Sequence, residues 1–134
     1  MSYLVEVEHR IRVVQGLPSP VRKGSGLPLI PPGKGVDLVI RAGVTFDDEQ
    51  LTADGWFFDT DAAAADLQEV CAGLDEKPWT ELFDFRPTFE LVARHLHDRL
   101  APRLPQLDHL EIRDETFGVT TRYVARRDGS RRVG

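Results

Sequence analysis

The chain has 134 residues, which is enough for one domain with a single modest core. Its net charge of −5 argues against nucleic acid as the main partner, and no run of about 18 apolar residues could cross a membrane. Cys71 is the one cysteine, so an intrachain disulfide is excluded. The amino terminus also lacks the pattern of a signal peptide, and together these features predict a cytoplasmic protein.

The first predicted element is a strand over residues 3–14, in which two kinds of residue alternate. One face carries Val5, Val7, His9, Ile11 and Val13, and the other carries Glu6, Glu8, Arg10 and Arg12. A period of two with β-branched residues on one side is typical of a half-buried strand. A second strand is predicted over residues 36–46, which are rich in Val, Leu and Ile.

The segment that joins these strands, residues 15–35, is rich in glycine and proline and has no helical or strand period. A loop of about 20 residues inside a compact domain is usually either functional or disordered. We expect it to be an active-site loop, either a lid or one wall of a site.

Two helices are predicted next. Asp59, Thr60 or Asp61 can cap the first, and apolar residues then recur with helical spacing as far as Leu74. The second begins at Pro87-Thr88 and has one apolar face.

The chain then returns to two strands, over residues 107–114 and 117–125, which turn near Glu115-Thr116. The order ββααββ predicts an α+β domain, in which a four-stranded antiparallel sheet has both helices on one face. The exposed edges of such a sheet favour a homo-oligomer that closes into a β-barrel. Residues 1–125 would form the single domain, and residues 126–134, with four arginines, a basic flexible tail. Contact of this tail with a phosphate or an acidic substrate is the alternative.

Five short motifs along the chain carry a family resemblance. They are Val5-Glu6-Val7-Glu8-His9-Arg10-Ile11, Gly55-Trp56-Phe57-Phe58-Asp59, Leu74-Asp75-Glu76, Pro87-Thr88-Phe89-Glu90 and Glu115-Thr116. In order and spacing they resemble motifs of the 6-pyruvoyl and 6-carboxytetrahydropterin synthases. The resemblance covers residues 3–125 and implies the tunnelling fold and a small-molecule substrate. It also implies a homo-oligomer with active sites at subunit interfaces.

The resemblance also implies substrate contacts. Glu115 matches the glutamate that holds the pterin, and a carboxylate suits this role because it can accept two parallel N–H hydrogen bonds. Thr116 and Thr88 belong to matching motifs and are expected near the substrate. Trp79 could supply an aromatic wall, with core packing as its alternative.

The metal site of the family is not kept. His9 matches the first zinc ligand, but the other two ligands fall at Pro32 and Lys34, neither of which is a plausible zinc ligand here. The nucleophilic cysteine is absent, and Glu76 stands where the family has a histidine. We therefore expect neither a metal nor another cofactor.

Three groups are candidates for catalysis if they converge: Glu115, Lys34 and His9. Glu115 can move protons, especially if burial raises its pKa. Lys34 can stabilise an oxyanion or form a Schiff base, or it points to solvent. His9 is an acid/base group or a core histidine. Glu76 is a second acid/base group or a surface residue.

The resulting hypothesis is a zinc-independent, repurposed enzyme of secondary metabolism. It would act on a small nitrogen heterocycle or amine together with a carbonyl group, by condensation, by cyclisation of the Pictet–Spengler type, or as a lyase. One alternative is an orthodox zinc-dependent 6-carboxytetrahydropterin synthase. The other is a non-catalytic ligand-binding protein on a decayed enzyme scaffold.

Overall fold

The computed structural model describes residues 2–15 and 35–125 of the chain. Their elements follow the order β1 (Ser2–Gln15), β2 (Val36–Asp47), α1 (Thr60–Cys71), β3 (Lys77–Pro78), α2 (Phe89–Leu100), β4 (Leu107–Asp114) and β5 (Val119–Val124). The four long strands and two helices confirm the predicted ββααββ arrangement. No helix in these two ranges is long and apolar enough to span a membrane.

The sheet has the strand order β3-β1-β2-β4-β5, and its four long strands are antiparallel. The β1–β2 ladder runs from Ser2 opposite Asp47 to Val13 opposite Val36. β3 adds two residues in parallel beside the end of β1, where Val13 pairs with Lys77. The sequence did not predict β3, because two residues carry no periodic signal.

β5 begins two residues later than predicted because a tight turn precedes it. The carboxylate of Asp114 accepts the backbone N–H groups of Thr116 at 2.8 Å and Phe117 at 3.0 Å. Gly118 then has a φ of 71°, a left-handed conformation that glycine adopts without steric cost. The turn therefore extends to Gly118.

Both helices pack on one face of the sheet, α1 against β1 and α2 against β4 and β5. The core lies between them and contains fully buried side chains from every layer, such as Leu38, Ile40, Leu67, Leu96 and Leu110. Each fully buried leucine or isoleucine contributes about 1.5–3 kcal/mol relative to an exposed one.

The opposite face of the sheet, which we call the open face, carries charged side chains in rows across the strands. One row runs from Glu8 through Arg41 and Glu111 to Arg122. Arg41 donates to Glu8 at 3.1 Å and to Glu111 at 3.0 Å, and Arg122 donates to Glu111 at 2.6 Å. This alternation of sign leaves Glu111 buried but paired on both sides.

Candidate active site

A cavity of about 370 Å³ lies where β1 and β2 meet the turn after α1 and the end of β4. Its charged lining residues are Arg10, Arg12, Asp37, Asp75, Glu76 and Glu115. Two cations and four carboxylates give this lining a net charge of −2 when all are ionised. The cavity therefore favours a ligand that presents N–H donors or a positive charge.

Glu115 is fixed at one wall of this cavity by its backbone and by two arginines. Its N–H donates to the carbonyl of Asp37 at 3.0 Å. Its Oε1 accepts a hydrogen bond from Arg10 Nη1 at 3.2 Å, and its Oε2 accepts one from Arg113 Nε at 3.1 Å. Arg113 in turn donates to Thr120 Oγ1 at 3.1 Å, so its guanidinium is held on both sides.

The two arginines lower the pKa of Glu115 below its ordinary value, mainly through the hydrogen bonds from Arg10 and then from Arg113. The expectation that burial would raise this pKa is therefore wrong. The physical reason is that the Glu115 side chain is 37% exposed and lies between two guanidinium groups. At neutral pH it is a carboxylate, the form that accepts N–H hydrogen bonds.

The turn after α1 brings Glu76 into the same cavity. Asp75 Oδ1 accepts the backbone N–H of Arg12 at 2.8 Å, and the N–H of Glu76 donates to the carbonyl of Arg12 at 2.7 Å. Glu76 has a φ of 59°, a left-handed conformation that a non-glycine residue keeps only when its surroundings hold it. These bonds to β1 place the carboxylates of Glu76 and Glu115 in the lining of one cavity.

Arg12 also lines the cavity, and it depends on a glycine for its position. A Cβ added to Gly35 would lie 2.1 Å from Arg12 Nε, so the side chain lies directly against the bare backbone of Gly35. Sequence reasoning did not name Arg10, Arg12, Asp37 or Asp75 as site residues. The alternation along β1 did place both arginines on one face, but nothing local related that face to Glu115.

Two other predicted site residues lie away from this lining. His9 is on the helix-facing side of β1, partly buried and opposite Ile40, whereas Glu115 bonds to arginines of the open face. Trp79 is 3% exposed within the core, and its indole N–H donates to the carbonyl of Leu74 at 3.1 Å. The cavity is thus lined by neither side chain.

The remaining predicted residues have local roles or lie outside the described ranges. Thr88 caps α2, since its Oγ1 accepts the N–H of Leu91 at 3.2 Å. Thr116 is exposed in the β4–β5 turn. Lys34 lies outside the described residues, as does Pro32.

A model of the 6-pyruvoyl tetrahydropterin synthase family matches residues 40–125, well over half of the chain. The chain belongs to this family. The solved structure of the Caenorhabditis elegans 6-pyruvoyl tetrahydropterin synthase is similar, with a TM-score of 0.71 at 14% identity, over 94% of this chain and 97% of that chain. At this identity the similarity shows the fold alone, and it confirms the tunnelling fold. No curated protein matches the sequence.

The zinc site implied by the family resemblance does not fit the residues of this member. Of the three ligand positions that the resemblance implies, only His9 has a metal-binding side chain, because proline has no side-chain donor atom and lysine is not among the usual zinc ligands. Within the described ranges, no three His, Cys, Asp or Glu side chains form a group that could hold a metal ion. Cys71 is buried in the core, and burial raises the pKa of its thiol to about 12, so it is not a reactive nucleophile.

Proposed function

We propose that this family member is an enzyme that binds a planar nitrogen heterocycle or an amine at Glu115 and works without zinc. The observation that carries the proposal is the presence of Glu115 and Glu76 in one cavity, at the two positions where the family resemblance places a substrate-binding and a catalytic residue. The binding residue is kept, whereas the catalytic histidine is replaced by a carboxylate.

Glu115 supplies the binding step in this proposal. The pKa of its carboxyl is held low by Arg10 and then Arg113, so the group remains ionised. An ionised carboxylate can accept two parallel hydrogen bonds from an amidine-like edge, and such charge-assisted bonds are about twice as strong as neutral ones. The net negative lining of the cavity supports a ligand rich in N–H donors.

The proposed reaction is the condensation of an amine with an aldehyde, followed by ring closure. Loss of one water gives an iminium ion, a nucleophilic ring carbon attacks the iminium carbon, and a carboxylate removes the proton from that ring carbon. This last step restores the proton that was used to expel water, so the net change is the release of one water. Even a weakly basic carboxylate suffices for it, because the cation formed by ring closure is a strong acid. Glu115 or Glu76 would take this proton.

The test of the binding step is a titration of the protein with pterin, followed by the fluorescence of the ring. Glu115→Gln removes the charge but keeps the shape, and we expect it to weaken pterin binding about tenfold or more. Glu69→Gln is the matched control, since Glu69 is an exposed carboxylate of α1 that pairs with Arg103, away from the cavity, and this change should leave the binding unchanged. Equal affinity of the wild type and Glu115→Gln would overturn the proposal.

The test of zinc independence is the metal content of the purified protein, measured by mass spectrometry. We expect less than about a tenth of a zinc ion per chain, because one histidine is a weak site on its own. One zinc per chain that survives dialysis would instead support the orthodox zinc-dependent synthase.

The test of catalysis uses a compound that co-purifies with the protein and is identified by mass spectrometry. Glu76→Gln should slow turnover of this compound by about a hundredfold or more while leaving its binding nearly unchanged. Unchanged turnover in this variant would refute the assignment of Glu76 as an acid/base group.

We also propose that the active form is a homo-oligomer with its sites at subunit interfaces. A monomeric mass in solution would contradict this.

A further inference from the structure

The carboxylate of Glu115 is already occupied by two guanidinium groups, and these two are held very differently. Arg113 lies on β4, two residues before Glu115, and its guanidinium also donates a hydrogen bond to Thr120. Arg10 comes from β1, its side chain is 66% exposed, and its bond to Glu115 Oε1 at 3.2 Å is the one side-chain hydrogen bond it makes to a described residue. Arg113 is therefore a fixed partner and Arg10 a loosely held one.

We propose that Arg10 is an internal competitor of the ligand, which must displace its guanidinium from Glu115 before it can bind. The inference rests on the proposed function, because it concerns the same carboxylate. The Arg10 guanidinium presents a planar set of N–H donors to Glu115, as an amidine-like edge of a ligand would. A ligand therefore binds only if its hydrogen bonds to Glu115 are stronger than the bond that Arg10 makes.

The exchange requires little free energy. Exposed ion pairs stabilise a structure only weakly, by at most about fivefold in an equilibrium constant, because solvent screens them and the side chains lose freedom. Arg113 keeps Oε2 in place during the exchange, so the carboxylate does not lose its orientation when Arg10 leaves. A ligand with two adjacent N–H donors, such as a 2-aminopyrimidinone or an amidine, can replace Arg10, whereas a ligand with a single N–H gains too little.

Once it is displaced, the Arg10 guanidinium favours a ligand that also carries a hydrogen-bond acceptor. Arg10 and Arg12 lie on the same face of β1, two residues apart, which is about 7 Å along a strand. A freed Arg10 would be left beside the Arg12 guanidinium, which has no hydrogen bond or ion pair with any described side chain. A carbonyl or carboxylate oxygen next to the N–H edge would give Arg10 a new partner. The preferred ligand therefore combines an N–H edge with an adjacent acceptor.

The test compares Arg10→Met with Arg12→Met in the pterin titration. Both substitutions remove one positive charge from the same cavity and the same face of β1, but only the first vacates Glu115 Oε1. We expect Arg10→Met to tighten pterin binding about two- to fivefold, a range set by the small free energy of an exposed ion pair. Arg12→Met measures the effect of the lost charge alone, and Arg10→Met should tighten binding at least about twofold more than Arg12→Met does. Equal effects of the two variants, or weaker binding by Arg10→Met, would overturn the inference.

A second readout separates this role from a structural one. The pKa of Glu115 is lowered first by Arg10, so Arg10→Met should raise it in a titration of the side-chain carboxyl followed by NMR, whereas Arg12→Met should not. Combining Glu115→Gln with Arg10→Met should abolish the gain in affinity. If pterin binding never depended on Glu115, the proposed function would fail. If it did, but Arg10→Met behaved like Arg12→Met, only the competitor role would fail.

Discussion

Gly43 of β2 lies directly against the imidazole of His109, and its replacement by alanine tests how tightly the open face is packed. His109 is opposite Gly43 in the β2–β4 ladder and is 1% exposed. Its Nε2 is 2.9 Å from Glu6 Oε2, and its Nδ1 is 2.9 Å from Asp108 Oδ2. The ring fills the space that a side chain at residue 43 would need.

The size of the effect follows from the contact distance. A Cβ at Gly43 would lie 2.1 Å from His109 Cε1, whereas ordinary contacts begin at 3.4 Å, so the ring or the strand must move by at least 1.3 Å. That movement breaks at least one hydrogen bond to a carboxylate, worth about 1.5–3 kcal/mol, and adds about 1–3 kcal/mol of overpacking. The lower chain entropy of alanine returns about 0.5–1 kcal/mol. We expect Gly43→Ala to lower the free energy of unfolding by about 1.5–5.5 kcal/mol.

The assay is urea unfolding followed by circular dichroism, in which the midpoint should fall by about 1–3 M. Gly73→Ala is the matched control, because a Cβ there has nothing within 4 Å, and it should change stability by less than about 0.5 kcal/mol. In a His109→Ala background, Gly43→Ala should cost less than about 0.5 kcal/mol, since the obstructing ring is gone. The same cost with and without the imidazole would refute the steric argument.

Three further predictions concern the buried charge, the thiol and a helix cap. Burial opposes the ionisation of Glu111, but hydrogen bonds from its two arginine partners outweigh it and leave its pKa below the ordinary value. The stability that ionised Glu111 contributes should be complete above its ordinary pKa of about 4.5 and should fall as the pH drops through the lowered pKa of the folded state. Glu111→Gln should lower the free energy of unfolding by about 3 kcal/mol, whereas Glu69→Gln, at an exposed ion pair, should leave the unfolding midpoint nearly unchanged. Cys71, whose thiol pKa burial raises to about 12, should react with a thiol reagent only after unfolding, and rapid labelling of the native protein would contradict its place in the core. Thr88→Ala should lower the free energy of unfolding by about 1 kcal/mol, because it removes the hydrogen bond that caps α2 at Leu91. Thermal unfolding measures this loss, and an unchanged melting temperature would contradict the cap.

The elements of this fold could be read from the sequence because their signals are local. The alternation from Tyr3 to Val14 predicts β1, and the helical spacing that includes Leu67 and Leu96 predicts α1 and α2. The ends of the elements were predicted less well than the elements themselves. The turn held by Asp114, for example, makes β5 begin two residues later than predicted. β3 could not be predicted, since a two-residue strand exists only because the end of β1 lies beside it.

The sequence by itself also supplied the residues on which the proposed chemistry rests: Glu115 is present, and Pro32 and Lys34 stand at positions where the family resemblance implies two metal ligands. It could not determine the surroundings of Glu115. Only the register of β1, β2 and β4 decides that Arg10, 105 positions away in the chain, lies within hydrogen-bond distance of this carboxylate. Only the turn bonded to Arg12 decides that Glu76 shares its cavity. The pKa of a carboxylate depends on the charges around it in space, and a sequence lists its neighbours along the chain alone.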